Sequence, residues 1–195
     1  FIPETYQRLA VDFDRDGRRD LVNSIPDALA STANFMVKAG WRSSEPWGFE
    51  VKLPEGYKGP SGRKRQASVQ TWAKRGLTNI DGSPLRSNYS AGLLLPAGKS
   101  GPAFLVTRNF NALYSYNAAE SYALAIGHLS DRLKGKGPLV TRWPTNDPGL
   151  TRAQRLQLQK LLLAAGYDIG EADGKIGPIT IGAIKKVQAK AGMKQ

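Results

Sequence analysis

Asp12-Phe13-Asp14-Arg15-Asp16-Gly17-Arg18-Arg19-Asp20 is the run from which the first domain can be read. Carboxylates at its first, third and fifth positions can converge on one hard cation, and Gly17 permits the sharp turn they need. Arg18 supplies a backbone carbonyl at the seventh position, and Asp20 stands at the ninth, where a water often intervenes. Carboxylates this dense, in a chain with 28 Lys+Arg against 16 Asp+Glu, predict a bound Ca2+ that pins the loop. Such a shell leaves the ion little Lewis acidity, so its role is structural.

The spacing is that of the opening of an EF-hand loop, with one departure. Asn23 stands where the closing bidentate Glu belongs. Asp27, farther on, closes the shell if the loop is longer than standard. The competing reading is a solvated acidic turn that caps a helix. That helix is predicted next: Asn23 or Ser24 caps it, Pro26 suits its first turn, and Gly40 ends it before Trp41. Leu29, Ala33, Met36 and Val37 recur at helical spacing and predict a core-facing side.

The chain has 195 residues, enough for one moderate domain, or for one full domain with a small one beside it. Its longest apolar runs, such as 91–95 and 103–106, are far too short to cross a bilayer. A net charge of +12 favours a polyanionic partner: nucleic acid, anionic lipid or an acidic wall polymer. There is no Cys and one His, His128. Thiolate nucleophiles and Cys-ligated metals are thereby excluded, and zinc hydrolases, which use two or three imidazoles, are opposed. A Ser–His–Asp triad has no G-x-S-x-G elbow to work with. His128 itself, amid Leu124, Ile126 and Leu129, reads as a packing histidine. Carboxylates, Tyr, Lys and Ser carry whatever chemistry remains.

Downstream, residues 49–108 are mixed. A short helical run over 67–75 follows the basic Arg63-Lys64-Arg65, and apolar 93–95 and 104–106 predict a β-hairpin around the turn at 98–102. Residues 109–134 return to helix, in two pieces broken near Asn117. Gly135, Gly137, Pro138, Pro144, Pro148 and Gly149 mark 135–149 as a linker. Two amphipathic helices, about 151–165 and 179–191, follow, with a Gly-rich turn over 166–178 between them. Leu158, Leu162, Ile184 and Val187 are their expected core.

In this last segment, Leu158-Gln159, Leu162, Gly166-Tyr167, Asp173-Gly174, Gly177-Pro178, Thr180, Ala183-Ile184 and Gln188 resemble the type 1 peptidoglycan-binding domain. That resemblance implies a small three-helix unit over 150–195. If peptidoglycan is the partner, composition prunes the enzymes further. Missing Cys removes L,D-transpeptidases and Cys endopeptidases, one His opposes zinc amidases, and missing K-T-G opposes penicillin-binding-type catalysis. Carboxylate acid/base cleavage of the glycan is left.

The first segment carries its own resemblance. Phe1-Ile2-Pro3, Tyr6, Ala10-Val11-Asp12-Phe13-Asp14, Asp16-Gly17 and Asp27-Ala28 resemble the membrane-bound lytic transglycosylase B family. Ala33-Asn34-Phe35, Gly40-Trp41, Asn109-Phe110, Tyr116-Asn117 and 122–129 extend the likeness over nearly all of 1–134. It implies a mainly α fold with a small β-hairpin region, that is, an α+β lysozyme-like transglycosylase part. It also implies a structural Ca2+ at Asp12, Asp14, Asp16, Arg18, Asp20 and Asp27, and a substrate shelf at Tyr116, Asn117 and Tyr122. The activity implied is cleavage of the MurNAc-β-1,4-GlcNAc bond with formation of 1,6-anhydroMurNAc.

The family's catalytic Glu lies upstream of the motif that contains Phe1, so no catalytic residue is assigned within this sequence, and the chain is expected to be inactive by itself. Glu4 and Glu120 are poor substitutes, and Glu45, Glu50 and Glu55 read as surface carboxylates. The resemblance further implies a monomeric wall enzyme, periplasmic or outer-membrane-associated in a Gram-negative bacterium, reaching a membrane only through an N-terminal lipid anchor. The alternative is a non-catalytic, calcium-stabilised peptidoglycan-binding protein. Nucleic acid is not an expected partner, because no basic recognition motif accompanies the charge.

Overall fold

The computed structural model describes residues 1–145 and 149–193, and the chain divides into two compact units, Phe1–Pro144 and Thr145–Gln195. Of the predicted linker, Pro148 lies outside the described residues, as do the last two residues of the predicted second domain.

The first unit opens with α1 (Pro3–Leu9) and α2 (Ile25–Lys38), separated by the acidic loop. Ser24 caps α2 by accepting a hydrogen bond from the Asp27 N–H, with Pro26 in the first turn. A curled antiparallel sheet follows, in the order β2 (Ala67–Ser68), β4 (Ser90–Leu94), β6 (Ala103–Val106), β1 (Gly48–Lys52), β3 (Thr78–Asn79). A further strand, β5 (Pro96–Lys99), follows β4 along the chain and is not part of this sheet, and α3 (Val69–Lys74) follows β2 directly. The hairpin expected over 93–106 is the β4–β6 pair, with Leu93 opposite Leu105 and Leu94 opposite Phe104. Alternation along β6 sends Ala103 and Leu105 into one core with Val51, Val69, Trp72 and Leu93. Phe104 and Val106 enter a second core with Trp47, Phe110, Leu113 and Leu124. Both faces of β6 are therefore covered, which is why its sequence is an unbroken apolar run.

The second core is closed by α4 (Arg108–Tyr116) and α5 (Glu120–Leu133), the two helices expected on either side of Asn117. Gly127 lets α5 approach the sheet: a Cβ there would stand 2.5 Å from Cδ2 of Trp47. The Trp47 indole N–H donates to Asp131 at 3.0 Å. Residues after α5 fold back on the sheet, where the N–H groups of Val140 and Thr141 each donate to Glu50 at 2.8 Å. Glu50 is thus a half-buried clamp rather than the surface carboxylate expected.

The face of α2 also differs from expectation. Leu29 and Val37 are 67% and 63% exposed, whereas Asp27 and Ser31 are fully buried. The segment packed beneath α2 is irregular, and its backbone groups need polar partners. Ser31 Oγ accepts from the Val11 N–H at 2.8 Å, and the Asn34 amide donates to the Leu9 carbonyl at 2.9 Å.

The second unit packs α6 (Arg152–Ala164) on α7 (Pro178–Lys190). Thr151 and Gln154 form a reciprocal capping box at the start of α6. Among the described residues this unit holds two helices, where the resemblance implies three. Between them Gly166, Gly170 and Gly174 all take positive φ, a conformation that interrupts helix and makes the connection a series of turns. The buried core comprises Leu162, Ile169 and Ala183, with Leu158, Tyr167 and Ile184 against them. Val187, expected in that core, is 38% exposed. Gln159 is buried and holds the turn: Gly174 N–H donates to its Oε1 at 2.7 Å, and its Nε2 donates to the Lys175 carbonyl at 3.1 Å.

Candidate functional site

Two features of the first unit concentrate chemistry. In the acidic loop, Asp12, Asp14 and Asp27 bring carboxylate oxygens within 4.8 Å of one another. Arg15 and Gly17 take left-handed φ of 64° and 90°, which curls the chain around them. Buried Asp27 spans the loop, with Oδ1 accepting from Phe13 N–H at 2.7 Å and Oδ2 from Asp20 N–H at 2.9 Å. Asp12 Oδ2 accepts from Gly17 N–H at 2.9 Å, and Asp14 Oδ2 from the Ser24 hydroxyl at 3.0 Å.

Asp12 Oδ1 is buried without a hydrogen-bond partner among the described residues. A buried carboxylate oxygen left bare beside two further carboxylates is costly unless a cation meets it. The donor set, all hard oxygen, fits Ca2+ or a similar ion.

The other expected ligands are placed differently. Asp16 lies outside the three-carboxylate group and accepts from the Arg18 N–H at 2.8 Å. Asp20 caps its own turn: Oδ1 accepts from the N–H groups of Val22 and Asn23, and Oδ2 from the Asn23 amide. The Asn23 backbone N–H, then its amide and the Val22 N–H, hold the Asp20 carboxyl below the ordinary carboxylate value. Asn23, found where an EF-hand has its closing Glu, therefore serves Asp20.

The second feature is an aromatic shelf at the α4–α5 break. Tyr116 is 40% exposed and stacks on Tyr122 with ring centroids 6.3 Å apart and planes 14° from parallel. Phe35 from α2 meets Tyr116 edge-on at 5.3 Å, and Phe1 does so at 6.3 Å. Asn117, next along the chain, is the exposed C-cap of α4. Thr32, Met36, Leu113 and Ile126 join the two tyrosines around a cavity of about 210 Å3. Exposed aromatic faces beside an amide and phenolic hydroxyls can stack a sugar ring and bond its substituents.

Sequence reasoning did not single out Phe35 and Phe1 as members of this cluster. Their aromaticity is visible in the sequence, but only the fold brings three separated segments together. The remaining carboxylates stand apart. Glu4 is exposed and pairs with Arg8 at 3.4 Å, while Glu120 pairs with Arg63 Nε at 3.3 Å. The Arg63 guanidinium also lies 3.5 Å over the Tyr114 ring. His128 is half-buried on α5.

Comparison with known proteins gives this geometry its relatives. A family model described as transglycosylase SLT domain matches residues 1–131, and one for a peptidoglycan binding domain matches residues 151–195. SltB3 from Pseudomonas aeruginosa, whose crystal structures hold NAG-anhNAM-pentapeptide or NAG-NAM-pentapeptide, is 46% identical with a TM-score of 0.86. The match covers 99% of this chain and 52% of SltB3 in the first of those complexes. Membrane-bound lytic murein transglycosylase B of Escherichia coli (strain K12) is 32% identical over 135 residues, 66% of this chain and 35% of that relative. The Escherichia coli lytic transglycosylase Slt35, in complex with calcium, is 29% identical with a TM-score of 0.57, over 69% of this chain and 42% of its own. The chain thus spans about half the length of SltB3 and about a third of the curated relative.

Proposed function

Since the chain belongs to the transglycosylase SLT domain family, we propose that it is the glycan-holding part of a peptidoglycan lytic transglycosylase, followed by a wall-binding module. The observation that carries this reading is the 46% identity, over 99% of the chain, to SltB3, whose complexes hold NAG-anhNAM-pentapeptide. In our reading the parts are residues 1–134, a linker over 135–149, and the peptidoglycan-binding module over 150–195.

The reaction converts a MurNAc-β-1,4-GlcNAc linkage to a 1,6-anhydroMurNAc end. A carboxylic acid protonates the glycosidic oxygen as the C1–O bond breaks. The muramyl C6 hydroxyl then bonds to C1 and returns its proton to the carboxylate, so no water is consumed. An internal nucleophile gains a large effective molarity, which makes a single acid/base group sufficient. In this chain Tyr116 and Tyr122 stack the sugar, and Asn117 bonds an N-acetyl or hydroxyl group. The shelf's task is to hold the glycan still while a carboxyl acts on it.

Glu4 and Glu120, each paired with an arginine, are poorly suited to be that acid. This supports the reading that the 195 residues bind glycan without cleaving it, the acid belonging to another segment of the enzyme. Asp12, Asp14 and Asp27 are the residues that would hold a Ca2+, and Asp16 and the Arg18 carbonyl would join its shell only if the loop closed further around it. The ion neutralises the clustered carboxylates and stiffens the approach to α2. The site of action is the bacterial wall, at the periplasmic or outer-membrane level, with the protein working as a monomer.

Incubation with purified peptidoglycan and Ca2+ tests the proposal. The chain should co-sediment with the wall and release no 1,6-anhydro ends by mass spectrometry. Failure to sediment would refute the binding role, and anhydro ends would show that a carboxylate within the chain is the acid.

A further inference from the structure

Away from the shelf, the first unit holds a polar cavity of about 690 Å3 where the loop after α2 meets β4 and the start of α4. Arg42, Ser44, Asn88, Ser90, Arg108 and Asn111 are among the residues that line it. Glu45 also reaches it, but its carboxylate is paired with Arg42 at 3.0 Å. Arg108 has no such counterpart: it makes no ion pair among the described residues. Its guanidinium lies across the end of α2, where a Cβ on Gly40 would stand 2.8 Å from both Nε and Nη2. Gly40 itself takes a left-handed φ of 91°, which favours glycine there. The cavity thus presents one guanidinium without an ion-pair partner among the described residues, on an exposed side chain beside hydroxyls and amides. Asn111 Oδ1 accepts from Arg63 at 2.9 Å, which leaves its amide hydrogens as donors.

We propose that this cavity receives the peptide stem of a peptidoglycan strand, with Arg108 pairing with a stem carboxylate. The inference rests on the reading of the shelf as a glycan site and extends it to the peptide. A planar guanidinium is suited to two-point recognition of a carboxylate, and the surrounding hydroxyls and amides suit peptide carbonyls. The distances agree. Arg108, Asn111 and Ser115 stand at i, i+3 and i+7, so they share one face of α4, and Tyr116 follows at its end. The helix rises about 12 Å from Arg108 to Tyr116, while an extended pentapeptide spans up to about 17 Å. A stem leaving a sugar seated on Tyr116 therefore reaches Arg108 along that face. Because Arg42 and Glu45 neutralise each other, the cavity matches a single negative charge.

The test uses the full 195-residue chain and calorimetric titration with two ligands, the NAG-NAM disaccharide and NAG-NAM-pentapeptide. Arg108→Met should weaken binding of the pentapeptide ligand by roughly 10- to 100-fold, the worth of a charge-assisted hydrogen bond. Binding of the disaccharide should stay within about twofold. Ser90→Glu, which sets a negative charge on the cavity wall, should discriminate in the same way should the first variant fold poorly. Equal affinity of wild type and both variants for the pentapeptide ligand would overturn the proposal. So would a loss that falls equally on the two ligands. If the wild type binds neither ligand, the glycan reading of the shelf fails first and this inference with it.

Discussion

Asp27, near the start of α2, reaches back fourteen positions to accept the Phe13 N–H at 2.7 Å, while its second oxygen takes the Asp20 N–H. One buried carboxylate thus spans both ends of the acidic loop. Asp27→Ala should cost about 2–5 kcal/mol, since each charge-assisted bond is worth roughly 1.5–3 kcal/mol and two backbone donors are left unsatisfied. Urea denaturation of the two proteins, followed by tryptophan fluorescence, measures the difference. A loss below about 1 kcal/mol would mean that water replaces the carboxylate without penalty.

Calcium should stabilise the first unit. At a free concentration a hundred times its Kd, an ion bound only by the folded state adds about 2.7 kcal/mol, or about 5–10 °C in a domain of this size. Scanning calorimetry in Ca2+ and then in EDTA checks it. Asp12→Asn removes charge at the bare oxygen and should abolish most of the shift, whereas Asp81→Asn, outside the loop, should leave it intact.

Gly127 is a position where one methyl is too many. An alanine Cβ would meet three Trp47 ring atoms between 2.5 and 2.9 Å, and overpacking of this kind costs about 1–3 kcal/mol. Gly127→Ala should therefore lower the urea midpoint. An unchanged midpoint would mean that α5 shifts freely against the sheet.

Acid should loosen the second unit at a defined place. The backbone N–H of Lys175, and next the Gln159 amide, hold the Asp173 carboxyl below its ordinary 3.8. Because the folded value is the depressed one, the contribution of Asp173 is fully present above the unfolded value. It is lost as pH falls through the folded value. Protection of the Gly174 and Lys175 amides, measured against their intrinsic exchange rates, should fall below about pH 4, and Asp173→Ala should show weak protection already at pH 6. Equal protection in both proteins at pH 6 would rule this out.

How far these features could be read from sequence depended on whether the signal was local. The acidic run, the Ser24 cap with Pro26, the break at Asn117 and the two C-terminal helices are local patterns, and each is found in the structure. The strand β1 was missed because Gly48-Phe49-Glu50-Val51-Lys52 offers little beyond a weak alternation. Its main partner, β6, lies more than fifty residues away, with Val106 opposite Gly48 and Ala103 opposite Val51, and its other partner, β3, is only two residues long. The short α1 was missed as well, being only seven residues long. The inward side of α2 was misread for a different reason: apolar periodicity locates the buried face only where the neighbour is itself apolar. Here the neighbour is bare backbone, and polar residues face it. At the site, the family resemblance pointed to Tyr116, Asn117 and Tyr122 but could not show that Phe1 and Phe35 pack beside Tyr116.

That polar side of α2 fixes more than the loop beneath it. Apolar contacts let a helix slide or rotate at modest cost, but the bonds from Asp27, Ser31 and Asn34, on successive turns, work like the teeth of a key. A slip of one turn would leave all three against the wrong backbone groups. Phe35 follows the last tooth directly, so its place beside Tyr116 is set by the same fit. Aromatic shelf and acidic loop are therefore indexed to each other along a single helix, and a change in the length of either would have to be matched in the other.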